Sequence, residues 1–574
     1  MGTAAYEQTA FTNGYEFAVG AGYELPQFEF VPPPELQSGR PGRHPVVICG
    51  GGLTGLTLAC CLARYGIDAV LLDEDNTIGV KGASSRGICY TQRSLEIFER
   101  LGIYEHVASR GVQWSVGRTF AGHDEVYSFD LRQQSQYGLS LQPPFINIQQ
   151  FYIEAFLVGR IQELGHIDLR WCSRIAGFEQ DDDHATLKVS TPAGDYTIHA
   201  DHVIDATGSH TPFRNWVGAS VTARKGDDRW CIADVRFRSK GPHATERHTW
   251  IEAPFNDNRA VWQHPMSDGV WRIDYQMAPN SDPEEVSRED VVRERLARHF
   301  GPDADLEMVW VGPYAYKSEC IDQMRHGRLF FMGDAAKVVS PFGARGGNTG
   351  IADAENLAWK LAAVTRGHAA PSLLDTYHDE RHEAARQNVM VTNRTSRFLR
   401  PSTPAEKRYR DAALGLARKY PFARQLVNTG CMAVANIYSS SRACCTGGGQ
   451  PVQNVPFQWA DGSTGTVNNL IDWADGSLLL LLFGEIDQQS KQRVRALLET
   501  APVLAVQVID SDGVPSAIEH VRDPKGHLQG ACHVFGHAWA LLRPDAYIAA
   551  TGEMVDADLV GAIGKCLGAM ELHA

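Results

Sequence analysis

Two glycine-rich stretches, far apart in the chain, hold the residues whose types and spacing could do chemistry. They are Gly50-Gly51-Gly52-Leu53-Thr54-Gly55 and the run from Gly333-Asp334-Ala335-Ala336-Lys337 through Ser340-Pro341-Phe342-Gly343 to Gly346-Gly347-Asn348-Thr349-Gly350. In the first, Gly50 permits a tight turn, Gly52 lets backbone N–H groups approach a pyrophosphate, and Gly55 lets a helix pack closely on a strand. Leu53 and Thr54, in the same turn, are further candidates to contact the cofactor, and the N-terminus of the helix that follows faces the anion. Asp73 and Glu74 follow about 20 residues later, where a carboxylate accepts ribose hydroxyl protons, and Asp73 is the first choice for that role. In the second stretch, Asp334 is placed to hold a ribityl hydroxyl. The amides of Gly347 and Asn348 would meet a flavin ring edge that becomes anionic on reduction. One dinucleotide held from both ends suits FAD better than NAD.

The surrounding sequence supplies elements to position these groups. Val46-Val47-Ile48-Cys49 reads as a strand into the first turn, Leu56 to Tyr65 as the helix after it, and Ala69-Val70-Leu71-Leu72 as a second strand. Leu329-Phe330-Phe331-Met332 reads as a strand into Gly333, and Ile351 to Val364 is amphipathic at helical period.

The second loop resembles the GDAAH-x-x-PP-x-G-x-G-x-N segment of the group A, single-component flavoprotein aromatic hydroxylases, relatives of para-hydroxybenzoate, phenol and 3-(3-hydroxyphenyl)propionate hydroxylases. Further positions are similar to that family. Arg86 and the later Arg93-Ser94-Leu95-Glu96-Ile97 resemble an arginine segment beside the flavin, and Gln150 a helix-start glutamine that contacts the cofactor. Asn356 to Leu361 and Tyr377-His378-Asp379-Glu380-Arg381 also match. Three positions depart. Thr207, in Asp205-Ala206-Thr207-Gly208, stands where Asp is usual, with Arg214 in the expected place; Lys337 replaces a His and Ser340 a Pro. A threonine cannot bridge charge to a pyridine nucleotide, so these changes bear on NADPH or NADH docking more than on FAD.

The resemblance implies an α/β chain: a discontinuous FAD-binding, Rossmann-like domain of glutathione-reductase type, an inserted mixed β-sheet substrate domain, and a C-terminal thioredoxin-like domain. The expected divisions are an N-terminal extension over 1–43, first parts of the FAD domain over 44–222, the substrate sheet over 223–319, and the last FAD part over 320–395. A helical segment and linker over 396–449 and a thioredoxin-like unit without C-x-x-C over 450–574 complete the chain. The implied chemistry is reduction of FAD by NADPH or NADH, then transfer of oxygen from a C4a-hydroperoxide to an electron-rich phenol.

Composition fits a large enzyme and excludes other classes. The 574 residues are 43% apolar and carry a net charge of −14, which disfavours nucleic-acid binding. The twelve cysteines contain no C-x-x-C pair and the histidines no metal-ligand spacing, so no metal is expected and the thiols read as reduced. A cytoplasmic homodimer without membrane contact is the expectation. Residues 1–43 lack a basic start followed by an apolar core and read as an extended arm.

Candidates to act on the substrate lie on the inserted sheet and the second loop: Gln263 and His264, Arg272 and Tyr275 on the facing strand, and Pro341 against the flavin. His264 is the candidate phenol-activating base and Arg272 a candidate carboxylate clamp. Alternation places Arg272 with Asp274 on one face and Ile273 with Tyr275 on the other. The favoured substrate is a catabolic phenolic acid. A polyketide-type aromatic hydroxylase, a flavin oxidoreductase and a flavin-dependent sensor remain open alternatives.

Overall fold

The computed structural model describes residues 15–16, 25–79, 87–134, 137–238, 245–429, 432–510, 518–534 and 538–570. Its first sheet is a parallel core grown from the apolar runs read above. In order across the sheet stand Ile167–Arg170, Ala69–Leu72, Gly42–Cys49 and Gly194–Asp205, with Leu329–Phe331 parallel to the last residues of Gly194–Asp205. Val46, Val47, Ile48 and Cys49 are wholly buried, as a parallel strand covered on both faces must be. The covering helices include Leu53–Arg64 and Gly346–Thr365, one from each glycine motif, packed directly on each other. Topology thus brings the two motifs to the same end of the sheet.

The second sheet is the larger. Its strands run in the order Leu306–Ile321, Val221–Phe237, Val270–Gln276, Arg259–Pro265, Arg247–Ala253, Val116–Ala121 and Asp124–Asp130. Here the expected domain boundary needs correcting. The hairpin of Val116–Ala121 and Asp124–Asp130 lies inside the span assigned to the FAD domain, yet it pairs with the substrate sheet, Val116–Ala121 running parallel to Arg247–Ala253. That pairing joins residues well over a hundred positions apart, which no local pattern announces. The backbone of Tyr15–Glu16, within the N-terminal extension, adds to the opposite edge beside Val311 and Trp310.

The linker is also less helical than expected. Helices Thr376–Leu399 and Pro404–Lys419 and a 3₁₀ turn over Pro421–Leu426 are followed by irregular chain among the described residues up to 455. The C-terminal unit has the sheet order Thr464–Thr466, Pro456–Trp459, His520–Arg522, Val503–Ile509, Leu478–Phe483, Trp539–Leu542 and Ile548–Gly552. Its run Leu478–Leu482 is fully buried between a parallel and an antiparallel neighbour. Burial pushes the Cys532 thiol up to about 12, so it stays protonated and unreactive.

Buried ion pairs fasten this unit to the FAD domain. Arg543 grips Glu380 through both guanidinium nitrogens at 2.5 and 2.9 Å, and Lys360 donates to the same carboxylate at 2.8 Å. Asp545 returns to Arg543 at 2.9 Å, and Ser441 and Asn356 also donate to Glu380. Arg543, Glu380 and Lys360 have no solvent exposure at all. The two cations and two anions balance, so removing one leaves a buried charge unmatched. Glu380→Ala is expected to cost about 3–5 kcal/mol, enough to lower the melting temperature by several degrees and expose the C-terminal unit to limited proteolysis.

Candidate active site

The first glycine turn is built as its sequence requires. Gly50 has a φ of +106°, and a Cβ there would lie 2.5 Å from the Ala206 carbonyl. A Cβ on Gly55 would lie 1.9 Å from the Gly50 carbonyl, so the helix start can approach the turn only with glycine. Gly52, the N-cap of Leu53–Arg64, has nothing within 4 Å of where its Cβ would stand. That open backbone at a helix N-terminus is where a pyrophosphate fits. Asp73 accepts from the amides of Gly51 and Asp75, tying the turn to the end of Ala69–Leu72, while Glu74 is exposed. Arg86 lies outside the described residues.

The second motif meets the first through Thr54. Cβ atoms on Gly333 and Gly350 would lie 2.7 and 2.4 Å from its hydroxyl, and one on Gly347 would lie 3.1 Å from Leu53. Gly333 takes a φ of +57°, leaving Asp334 exposed at the strand end. Asp353, two turns into Gly346–Thr365, accepts the Gly333 amide at 3.0 Å and pairs with Lys337 and Arg381, all three without solvent exposure. Lys337 therefore sits in this loop as a buried structural cation. Asn348 accepts from the Thr91 amide and the Ser94 hydroxyl and donates to the Cys89 and Ala344 carbonyls, fixing the helix start against Cys89–Thr91. Gln150 accepts from the Gly87 amide and donates to Glu154, whose other oxygen takes the Gly79 amide. These residues make a cradle of backbone amides and fixed turns, and they fit FAD.

Asp205, the carboxylate nearest Thr207, is turned inward. It is wholly buried and accepts from the Thr207 amide and hydroxyl and from the Thr211 hydroxyl, with burial raising its carboxyl to about 6. Arg214 holds the loop backbone at the Asp334 and Ala335 carbonyls and pairs with Glu319 at 3.1 Å.

The substrate sheet turns one polar face toward the second motif. Strand register puts His264 opposite Arg272, Trp262 opposite Asp274, and Asp234 opposite Arg272, so these side chains share a face. Arg247 precedes His248, the partner of Gln263, and so stands beside His264 on that same face. Phe342 packs on Trp262 with ring centroids 5.3 Å apart, which seats the exposed Pro341 and the buried Gly343 next to this face. Gly343 accepts the Ala433 amide at 2.8 Å.

Four expectations change here. Arg272 is clamped on Asp234 by two bonds of 2.8 Å, so it is committed to a buried ion pair rather than presented to a carboxylate. Tyr275 points to the opposite face, beneath Glu289–Phe300, with its hydroxyl 3.0 Å from His299. Gln263 shares that far face by alternation. His264 is on the near face, 3.9 Å from Asp274, but burial with Arg247 and Arg272 nearby pushes its pKa well down, so it is neutral and a weak base. Asp274, read earlier only for its side of the strand, is the group whose titration falls near neutrality: burial raises its carboxyl to about 7. Arg247 was not singled out at all. Its signal lies in a neighbouring strand's register, which sequence alone does not supply.

Residues 43–392 match the family described as FAD binding domain. The chain is 27% identical over 388 residues to a 3-(3-hydroxy-phenyl)propionate/3-hydroxycinnamic acid hydroxylase of Mycolicibacterium smegmatis, covering 67% of each. It is 32% identical over 354 residues to a flavin-dependent monooxygenase of Mycobacteroides abscessus, covering 59% of this chain and 71% of that protein. Its fold superposes with a TM-score of 0.77 on the flavin-dependent monooxygenase PieE, solved with FAD and substrate. That alignment spans 92% of this chain and 99% of PieE at 22% identity.

The Thr54 wedge has a direct test. Gly350→Ala is expected to cost about 1–3 kcal/mol through overpacking and to lower the FAD content of purified protein. Thr54→Ala in the same chain should restore most of both, measured by thermal melting and the visible absorbance ratio.

Proposed function

The chain belongs to the FAD binding domain family, among the group A flavoprotein aromatic hydroxylases, and on that premise we propose that it hydroxylates a phenolic aromatic acid, with dioxygen and NADH or NADPH as co-substrates. The observation that carries this reading is the buried polar face held against the second glycine motif by Phe342. On it, His264 Nδ1, Asp274 Oδ1 and Arg247 Nε have no hydrogen-bond partner among the described residues, and we assign a bound ligand as the partner such buried polar groups call for. The name of the Mycolicibacterium relative supports an acid of the 3-(3-hydroxyphenyl)propionate kind.

When bound, FAD supplies the electron transfer and the activation of dioxygen. The chain's own tasks are to bind the ring, exclude water and hold a proton. Trp262, Phe342 and Trp230 form an apolar wall beside the polar face. Asp274 is the group we assign to take the phenol proton, since a base works best with its pKa near the working pH. The charged and titratable groups around it are Arg272 on its own strand, Asp234 on one neighbouring strand, His264 on the other and Arg247 beyond. His264, kept neutral, offers a hydrogen bond to the phenol oxygen.

The sign follows from the raised carboxyl. Above pH 7 Asp274 is a carboxylate and accepts the proton; below it the group is already protonated. Turnover at saturating substrate should rise with pH through about 7. Asp274→Asn should lower it by about 10²–10⁴-fold and remove that limb, and His264→Ala should lower it without moving the limb. A panel of hydroxylated aromatic acids scored for NAD(P)H consumption and product mass tests the reaction itself. Flavin-containing protein that oxygenates none of them would overturn the reading.

A further inference from the structure

We propose that Arg247 recognises an anionic group on the substrate, a carboxylate by preference, and so sets which aromatics the enzyme accepts; the inference rests on the hydroxylase reading above. Arg247 is 5% exposed, yet no carboxylate among the described residues lies within ion-pair distance of it. Among the described residues its Nη1 meets only the Met432 thioether, at 3.5 Å, and its Nε has no partner. The contrast with Arg272 on the same face is direct, because that guanidinium is matched by Asp234 at 2.8 Å. A guanidinium cannot shed its proton at physiological pH, and one buried without an anion is costly to keep. A planar fork with free N–H donors is the group that grips a carboxylate.

Its position suits that task. Met432 is followed by Ala433, which bonds to Gly343 of the second motif, so the guanidinium lies where the sheet meets the flavin loop. Asp274 is level with Trp262 and hence with Thr249, two residues along from Arg247 and two strands across. Sheet spacing makes that about 12 Å between the Cα atoms, leaving room for one aromatic ring between the two side chains. A substrate with its phenol at one end and its acid at the other spans the pair.

The test uses FAD-loaded enzyme, with 3-(3-hydroxyphenyl)propionate and the corresponding propionamide as probes. Affinity is read from the perturbation of the flavin visible spectrum and turnover from product mass. Wild type should bind the acid at least tenfold more tightly than the amide. Arg247→Gln should weaken the acid by about 100-fold and the amide less than threefold, and Arg247→Lys should keep part of the preference. Equal loss for both probes, or no acid preference in wild type, would overturn the assignment, and the second result does so even if Arg247→Gln fails to fold. Hydroxylation of neutral phenols without acid preference sinks the anchor and spares the hydroxylase. Acid-selective binding with no oxygenated product spares the anchor and sinks the hydroxylase.

Discussion

Charge that is buried must be matched, and helix Gly346–Thr365 is where most of that matching happens. Asp353, Glu355, Asn356 and Lys360 all project from it into the interior. Asp353 holds Gly333 with Lys337 and Arg381, Glu355 takes Arg93 and Arg100 from Gln92–Arg100, and Lys360 joins Glu380 and Arg543. Each carboxylate has a small number of geometries in which its partners are satisfied. The helix is therefore fixed in rotation and in height, and with it the amides of Gly347 and Asn348 that begin it. Precision at the cofactor cradle comes from the ionic layer behind it.

The same accounting separates the two arginines of the substrate sheet. Arg272 has its anion built in and serves the sheet, whereas Arg247 has none among the described residues and faces a thioether. His264 sits between them, and Asp274, two residues along the strand from Arg272, has its carboxyl raised toward neutrality by burial. One face of four neighbouring strands thus holds a closed ion pair, a neutral imidazole, a titratable acid and a cation unmatched among the described residues. Only the last three have bonding capacity left for a ligand.

Much of the cradle was legible in the sequence because its constraints are local. Gly50 needs positive φ, Gly55 needs close approach, and the apolar runs flanking them have no alternative to burial. The period-two pattern also sorted Arg272 from Tyr275. What sequence could not give was which face met the flavin loop, since alternation names two sides but not their neighbours. The pairing of Arg272 with Asp234 spans 38 positions, and the hairpin Val116–Asp130 joins a strand, Arg247–Ala253, that comes well over a hundred residues later. Arg272 looked available for the same reason that Arg247 went unseen: a side chain's partner is set by strand order. The linker beyond Leu426 lost its expected helix because its residues follow the surfaces of two domains instead of a period of their own.

Thr54 packed between Gly333 and Gly350 has a consequence for biosynthesis. The first turn leaves the ribosome long before the glycines that close around it, and at ordinary elongation rates the interval is about 15–60 s. Throughout that time the nascent chain has half a binding site and no means of retaining its prosthetic group. Loading with the pigment must therefore come late in translation or after it, and a cell short of the vitamin precursor would accumulate chains that are fully synthesised but still open at this seam.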